Sequence, residues 1–426
     1  MGEYDIPAEH AQTLVDPSAY ADGRIFETYA WLRANNPLGI ARPEGFDPFW
    51  VVTRYADIRA ISVDNKRFPY GDRCSRLTDK ASDDFTRSLT GGSPEIQRTL
   101  ISMDPPQHMK FRLLTQGWFV PKNLALLDER IGQIADRALG RLATAGGSCD
   151  FVTDVALHFP LEVILEILGL PESDYPFMLR LTQEVFAPLD PETMPEGVDP
   201  TDPAVFARAQ SAVQQMLADY FGRTIEDQRR NPKNDIGSLI ANAKIDGEPM
   251  PLADQIGYYA IVATAGHDTT SSSSGAAMWA LATQPGLLAR LQADPSLMPR
   301  FVEEAIRWAT PVKVFMRSSA EPTEFAGRRF GQNDWLMLCY ASGNRDESKT
   351  THGDRFDIDR PAFDHVAFGY GPHVCLGQHL ARREMTTLFS RLVPALRSVE
   401  MAGEAEQSRS WFVNGLKHLP IRYELA

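Results

Sequence analysis

The stretch with the clearest chemistry is Phe368-Gly369-Tyr370-Gly371-Pro372-His373-Val374-Cys375-Leu376-Gly377. A glycine-studded loop runs into a cysteine, and a helical pattern from Gln378 follows at once. Cys375 therefore stands at or just before a helix N-terminus, where backbone N–H groups and the positive helix end favour a thiolate. Gly369, Gly371 and Gly377 let a backbone or a flat ligand come close, because they lack Cβ. Phe368 can shield the sulfur from water. A dry, hydrogen-bonded thiolate is what an axial iron ligand requires. A lone cysteine after a glycine turn is ordinarily core. The complete spacing Phe-Gly-x-Gly-x-His-x-Cys-x-Gly is far more restrictive. It is not a dinucleotide fingerprint, since Val374 stands where a third glycine would and no βαβ pattern surrounds it.

A second group is Ala265-Gly266-His267-Asp268-Thr269-Thr270, followed by Ser271 to Ser274, inside an apolar helical run from Asp254 to Leu281. Gly266 in a helix interior costs about 1 kcal/mol relative to alanine. An aspartate and several hydroxyls also compete with helical hydrogen bonds. Such conflicts are expected at working sites. Thr269 can bond the carbonyl of Ala265, and with Gly266 this can open a groove for water and dioxygen. The same residues also fit helix-end chemistry or close packing. Two further pairs sit at helical spacing. His108 and Arg112 share one face of a helix that Asp104 can cap before Pro105-Pro106; by themselves they read as an exposed polar face. Glu304 and Arg307 form an i,i+3 pair, by itself a solvated surface bridge.

These groups need a frame. No Gly/Ser linker, low-complexity tract or repeat divides the 426 residues, so one domain over residues 1–426 is expected. Hydrophobic content of 43% and charged content of 23% suit a soluble globular protein. A net charge of −13 argues against non-specific nucleic-acid binding. No apolar run is long enough to span a bilayer, and Met1 to Pro7 show no basic region leading into an apolar core. Cys74, Cys149, Cys339 and Cys375 are scattered without a C-x-x-C pair, which fits a reducing cytoplasm. The periodicity predicts helices over Ile25–Asn35, Tyr55–Val63, Leu124–Leu142, Leu157–Leu168 and Ala204–Arg230. Strands are predicted at Phe49–Thr53, Val312–Ser318 and Ile421–Tyr423. Pro69 to Thr99 reads as irregular. Pro188 to Asp202 reads as a loop between two helices, a plausible lid.

The cysteine loop, the Ala265–Thr270 hexad and the Glu304-x-x-Arg307 pair resemble the cytochrome P450 family of haem-thiolate monooxygenases, over about Ile25 to Tyr423. Ala263 to Gly275, Ser102 to Pro106 and Cys375 to Ala381 look like its bacterial terpineol monooxygenase subfamily. The resemblance implies a mainly α cytochrome P450 fold, a triangular helical domain with a small β-rich region. It implies haem b (iron protoporphyrin IX), with Cys375 as the axial iron ligand. His108, Arg112 and Arg317 would contact its propionates. Phe368, Gly369, His373, Gly377, Ala265 and Gly266 would complete the cofactor site. Asp268 and Thr269 match the acid–alcohol pair that delivers protons to dioxygen. Glu304, Arg307 and Arg355 match a buried structural set, although Lys349 to Gly353 depart from the usual Phe-x-Asp-Pro lead-in to Arg355.

The same resemblance implies a small hydrophobic substrate, a terpenoid or alkylaromatic, hydroxylated at a C–H bond with dioxygen. Ile261, Thr264, Ala265, Val314 and Val413 are the expected pocket lining. No fused reductase and no membrane anchor are expected, so electrons would come from NAD(P)H through a separate reductase and a [2Fe–2S] ferredoxin. Lys110, Arg112, Arg382 and Arg383 are expected to offer that ferredoxin a basic patch. A cytoplasmic monomer is expected. The alternatives are a hydroxylase of larger steroids or fatty acids, a peroxygenase, and a non-catalytic haem protein.

Overall fold

The computed structural model describes residues 2–186, 189–194, 198 and 203–426. Helix α1 (Arg24–Asn35) leads into a hairpin of β1 (Leu38–Ala41) and β2 (Phe49–Val52), and α2 (Tyr55–Val63) follows directly. β2 is Phe49-Trp50-Val51-Val52 and is buried along its length, as a strand covered on both faces must be. Next come α3 (Lys80–Thr90), α4 (Gln107–Gln116), α5 (Asp128–Ala145), the short β3 (Ser148–Asp150), α6 (His158–Leu168), α7 (Tyr175–Phe186) and α8 (Pro203–Arg230). The centre is formed by α9 (Leu252–Ala265) and α10 (Asp268–Thr283), with α11 (Met298–Ala309) after them. β4 (Val314–Ser318) and β5 (Trp335–Cys339) return to the first sheet, and α12 (Gln378–Ala395), β6 (Leu396–Met401) and β7 (Pro420–Leu425) close the chain.

The first sheet runs β1-β2-β5-β4, with β2 parallel to β5 and the other pairs antiparallel. A parallel pair needs a long crossover, and here the helical body lies between the two strands. A second sheet runs β6-β7-β3. The helices share one apolar core to which Ile134, Leu161, Met278, Phe301 and Leu388 each give a side chain at most 1% exposed. Burial of each stabilises the fold by about 1.5–3 kcal/mol. The architecture is mainly α with a small β-rich part, as expected.

Three local expectations change. The stretch Pro69–Thr99 contains α3, started by Asp79, whose Oδ1 accepts the N–H of Ser82 at 2.9 Å, and stopped by Gly91 at φ 71°. Its apolar residues are Ala81, Phe85 and Leu89, too thin a stripe to announce a helix, and none of its residues is buried. Asp104 does not cap α4. Its carboxylate accepts the N–H groups of Tyr70 at 3.0 Å and Gly71 at 2.9 Å, pinning that segment against α4. The single helix expected from Asp254 to Leu281 is two helices, interrupted at Gly266-His267. The loop expected at Pro188–Asp202 lies mostly outside the described residues.

The segment leading to the cysteine loop is held by Glu304 and Arg307 of α11, 0% and 2% exposed. Arg307 grips Glu304 through two hydrogen bonds of 2.7 and 2.8 Å. Its other three N–H groups go to the carbonyls of Asn344, Gly353 and Arg355, so all five donors are used. Arg355 is not the third charged member. It is exposed and lends only its carbonyl. Arg360, 5% exposed, takes the place: its Nε donates to Glu304 Oε1 at 2.9 Å. Arg360 also donates to the carbonyls of Thr351, His352 and Arg355, knitting the loop into a knot around one carboxylate. Glu304→Gln leaves two buried guanidiniums without their anion, and the expected cost is about 3–5 kcal/mol. A urea midpoint reads this directly; a loss below about 1 kcal/mol would remove the pair from its structural role.

Candidate active site

Cys375 lies three residues ahead of α12, and its N–H donates to the Phe368 carbonyl at 2.8 Å, closing the loop. Gly369 and Gly371 have φ of 67° and 72°, in the left-handed region. A Cβ on Gly371 would also stand 2.4 Å from the Ser62 carbonyl oxygen of α2. Arg382 of α12 lies 4.4 Å from the centre of the Phe368 ring, and its fork holds Glu303 at 2.6 and 2.8 Å. Burial alone would raise the Glu303 carboxyl, but Arg382 and His365 outweigh it and hold the group at about 2. The aromatic cover of the loop is thus held by a half-buried ion pair. The Cys375 side chain is accessible by area, yet protein surrounds it on most sides. Burial raises its thiol, while N–H groups of Gly377 and Gln378 and the charges of Arg112 and Arg382 pull the other way.

Beside this loop, His108 and Arg112 of α4 meet Arg317 of β4 and His373. The two imidazoles stack with ring centres 3.9 Å apart. Arg317 lies 3.8 Å from the Tyr70 ring, which meets His373 edge-on. Burial, then the nearby arginines, hold His108 down to about 4 and His373 to about 2, so both rings are neutral. Both nitrogens of His108 and Nε2 of His373 are buried without a hydrogen-bond partner among the described residues. Arg317 donates to the carbonyl of its neighbour Met316 and pairs with no carboxylate among the described residues. Two guanidiniums and unmatched imidazole nitrogens in one buried place are built to receive carboxylates.

At the break between α9 and α10, Thr269 Oγ1 donates to the Ala265 carbonyl at 2.9 Å. The hydroxyl has one hydrogen and it is used there, so Thr269 turns lone pairs toward the cavity. Asp268 Oδ1 lies 3.2 Å from His267 Nδ1, and burial raises its carboxyl above the ordinary aspartate value. Gly266 was expected among the cofactor contacts; its missing side chain instead serves the crossing of α6. A Cβ there would stand 2.3 Å from Ile164 Cδ1. Ala265 and Thr269 form the cavity side of this turn.

The cavity has a volume of about 640 Å³. Ile261, Thr264, Ala265 and Thr269 form one wall, and Val413 faces it beside Phe412. Thr264 spends its hydroxyl hydrogen on the Ala260 carbonyl at 2.7 Å, so it can accept a hydrogen bond but not give one. Val314 is not in the wall. It is 0% exposed and packs behind the sheet with Ile25, Tyr29 and Met337, while Phe315 and Val312 face the cavity. Side chains alternate along a strand, so an error of one residue reverses the face. The expected basic patch is also largely neutralised: Lys110 pairs with Asp246, Arg382 with Glu303 and Arg383 with Asp128, and Arg112 is buried.

A family model described as Cytochrome P450 matches residues 80–416. The chain belongs to the cytochrome P450 family. It is 42% identical over 422 residues to Cytochrome P450-terp of Pseudomonas sp, covering 99% of each chain. It is 30% identical to Linalool 8-monooxygenase of Pseudomonas putida, over 96% of this chain and 98% of the relative. The crystal structure of CYP108D1 from Novosphingobium aromaticivorans superposes with a TM-score of 0.91 at 41% identity, over 99% of this chain and 100% of the other. The fold is therefore the P450 fold and the protein a P450 monooxygenase, an oxidoreductase close to P450-terp. No helix among its described residues is long and apolar enough to cross a membrane.

A P450 holds a haem iron, and the residues fit one. The unmatched nitrogens of His108 and His373 and the two guanidiniums suit the carboxylates of such a cofactor. A Cβ on Gly377 would meet no protein atom within 4 Å. Glycine there is not demanded by protein neighbours; a flat group lying over the loop would demand it. Among the described residues no cluster of three or more His, Cys, Asp or Glu offers an alternative metal site. Sequence reasoning passed over three groups in this P450. Arg360 was hidden because its partner is 56 positions away. His267 sat inside the quoted hexad without a task. Glu384 of α12 looked like an ordinary helix charge, yet it is 1% exposed and burial pushes its carboxyl well up, with Thr270 beside it.

Proposed function

We propose that this P450 hydroxylates compact apolar substrates, terpenoids or small alkylaromatics, with haem b as cofactor and electrons delivered from NAD(P)H by a reductase and a [2Fe–2S] ferredoxin in the cytoplasm. The chemistry a bound haem would supply is activation of dioxygen for insertion of one oxygen atom into a C–H bond, which a thiolate ligand would favour. Cys375 is the residue that would give that thiolate; a coordinating thiol loses its proton outright. His108, Arg112, Arg317 and His373 hold the carboxylates and so fix the orientation of the cofactor. Thr269 offers a hydrogen-bond acceptor at the cavity wall and would hold a proton donor there. Asp268, the residue before it, supplies protons from the buried side. Ile261, Thr264, Ala265 and Val413 set the shape around the substrate, and Thr264 accepts from a substrate hydroxyl.

The observation that carries this reading is the break at Gly266-His267. It frees one side of the central helix for Thr269 in the wall of the cavity, beside the apolar groups Ile261, Phe315, Phe412 and Val413. The similarity to Linalool 8-monooxygenase supports the terpenoid class. One observation favours a second reading, a larger substrate such as a steroid or fatty acid: about 640 Å³ is in the middle of the usual range for ligand pockets, and generous for a monoterpenoid. The test is to titrate the haem protein with α-terpineol, p-cymene, a long-chain fatty acid and a steroid while following the low-to-high-spin shift. The two small compounds are expected to shift the spin state. Tight binding of the steroid with no response to either small compound would establish the second reading instead.

A further inference from the structure

His267 is wholly buried and belongs to neither α9 nor α10. Groups from three separate elements surround its ring. Nε2 lies 2.8 Å from the carbonyl of Leu157, just ahead of α6. A carbonyl only accepts, so Nε2 carries a hydrogen. Nδ1 lies 2.9 Å from Thr182 Oγ1 on α7 and 3.2 Å from Asp268 Oδ1. The Thr182 hydroxyl is also 2.9 Å from the Leu179 carbonyl, and its single hydrogen cannot serve both partners.

The hydrogen count then has few solutions. With Thr182 donating to Leu179, Nδ1 faces two acceptors, the Thr182 oxygen and the Asp268 carboxylate. A bare nitrogen lone pair opposite a carboxylate lone pair, away from water, is an unfavourable buried contact. A hydrogen between Nδ1 and Oδ1 removes the conflict, whichever of the two atoms it is bonded to. We propose that His267 and Asp268 share one proton, so that His267 is the positioning residue that keeps Asp268 loaded, while Thr182 ties the same imidazole to α7. The raised pKa of Asp268, caused by burial, agrees with this. The link also joins proton supply to the seating of α7, the helix that carries Val185 into the cavity wall.

The balance is simple. When the shared proton leaves Asp268 for the cavity, the imidazole keeps its Nε2 hydrogen, and the pair is one unit more negative. A proton from water restores it. No electron moves in this step.

The proposal rests on the reading that Asp268 supplies protons, and the experiment separates the two. Wild type, His267→Leu, Asp268→Asn and the double variant are compared as haem-loaded proteins, driven by NAD(P)H through a surrogate reductase and ferredoxin. Product per NAD(P)H and the solvent deuterium isotope effect are measured. Each single variant is expected to lose turnover by roughly tenfold or more, with a larger isotope effect. The double variant is expected to be no worse than Asp268→Asn, because both act through one proton. Losses that multiply, or a His267→Leu enzyme with wild-type turnover, would overturn the proposal. Wild-type behaviour of Asp268→Asn would instead overturn the parent reading. Should His267→Leu fail to hold haem, nitrogen-15 spectra of histidine-labelled, carbon monoxide-bound ferrous protein give a second reading. A strongly downfield proton shared between His267 Nδ1 and Asp268 that disappears in Asp268→Asn is expected; no such proton in the parent protein, or one that persists in Asp268→Asn, contradicts the pairing.

Discussion

Cys375→Ser is expected to fold normally and to lose hydroxylation. Serine differs from Cys375 by one atom, and the loop around it is held by other contacts. Those contacts are the Phe368 carbonyl bond, the left-handed glycines and the Glu303–Arg382 pair. Circular dichroism should therefore match the parent protein. Loss of an outer partner of a metal ligand costs about 10–100-fold, and loss of the ligand itself should exceed that. Product formation driven by NAD(P)H is the readout. A serine variant with more than about a tenth of parent turnover would mean that the sulfur is not the ligand that drives the chemistry.

The second large effect is expected at the helix break. Thr269→Ala removes the acceptor in the cavity wall and frees the Ala265 carbonyl, but touches neither Cys375 nor the His108–His373 cluster. Substrate should bind and NAD(P)H should be consumed. The reducing equivalents should then appear as hydrogen peroxide instead of product. Asp268→Asn keeps the shape and removes the acid; general acid–base groups contribute about 10²–10⁴-fold, so turnover should fall by roughly 10²-fold. Peroxide and product are measured against NAD(P)H consumed. Full coupling in Thr269→Ala would falsify the role assigned to its hydroxyl.

What could be read in the sequence follows a physical division. The cysteine loop and the Thr269–Ala265 hydrogen bond were legible because local residue types carry them: glycines at positive φ, and a threonine one turn from the carbonyl it bonds; the interruption at Gly266-His267 was not, since the apolar run read as one continuous helix. The elements Tyr55–Val63, Phe49–Val52 and Val314–Ser318 were legible because their patterns or β-branched content are strong. Helix α3 was not, because its few apolar residues cannot announce a helix whose residues are all at least partly exposed. Val314 was assigned to the wrong face because the strand alternation had no visible anchor, and Phe315 holds the place instead. Arg355 was named from the resemblance and Arg360 was not, because only the folded loop decides which guanidinium reaches Glu304. The neutralised patch at Lys110, Arg382 and Arg383 shows the same limit, since Asp246, Glu303 and Asp128 come from distant segments. Charge counted along a chain is not charge displayed on a surface. What α4 displays beside Lys110 is partly apolar, with Leu113 62% exposed.

The central claim is that Cys375, and no imidazole, binds the iron. His108 and His373 stand nearby with unmatched nitrogens, which makes the distinction a real one. The direct measurement is the absorption spectrum of the dithionite-reduced protein under carbon monoxide. Thiolate ligation by Cys375 predicts a strongly red-shifted Soret band that Cys375→His abolishes. A band at the position of imidazole-ligated haem in the unaltered protein, or the same red-shifted band in Cys375→His, would contradict the account.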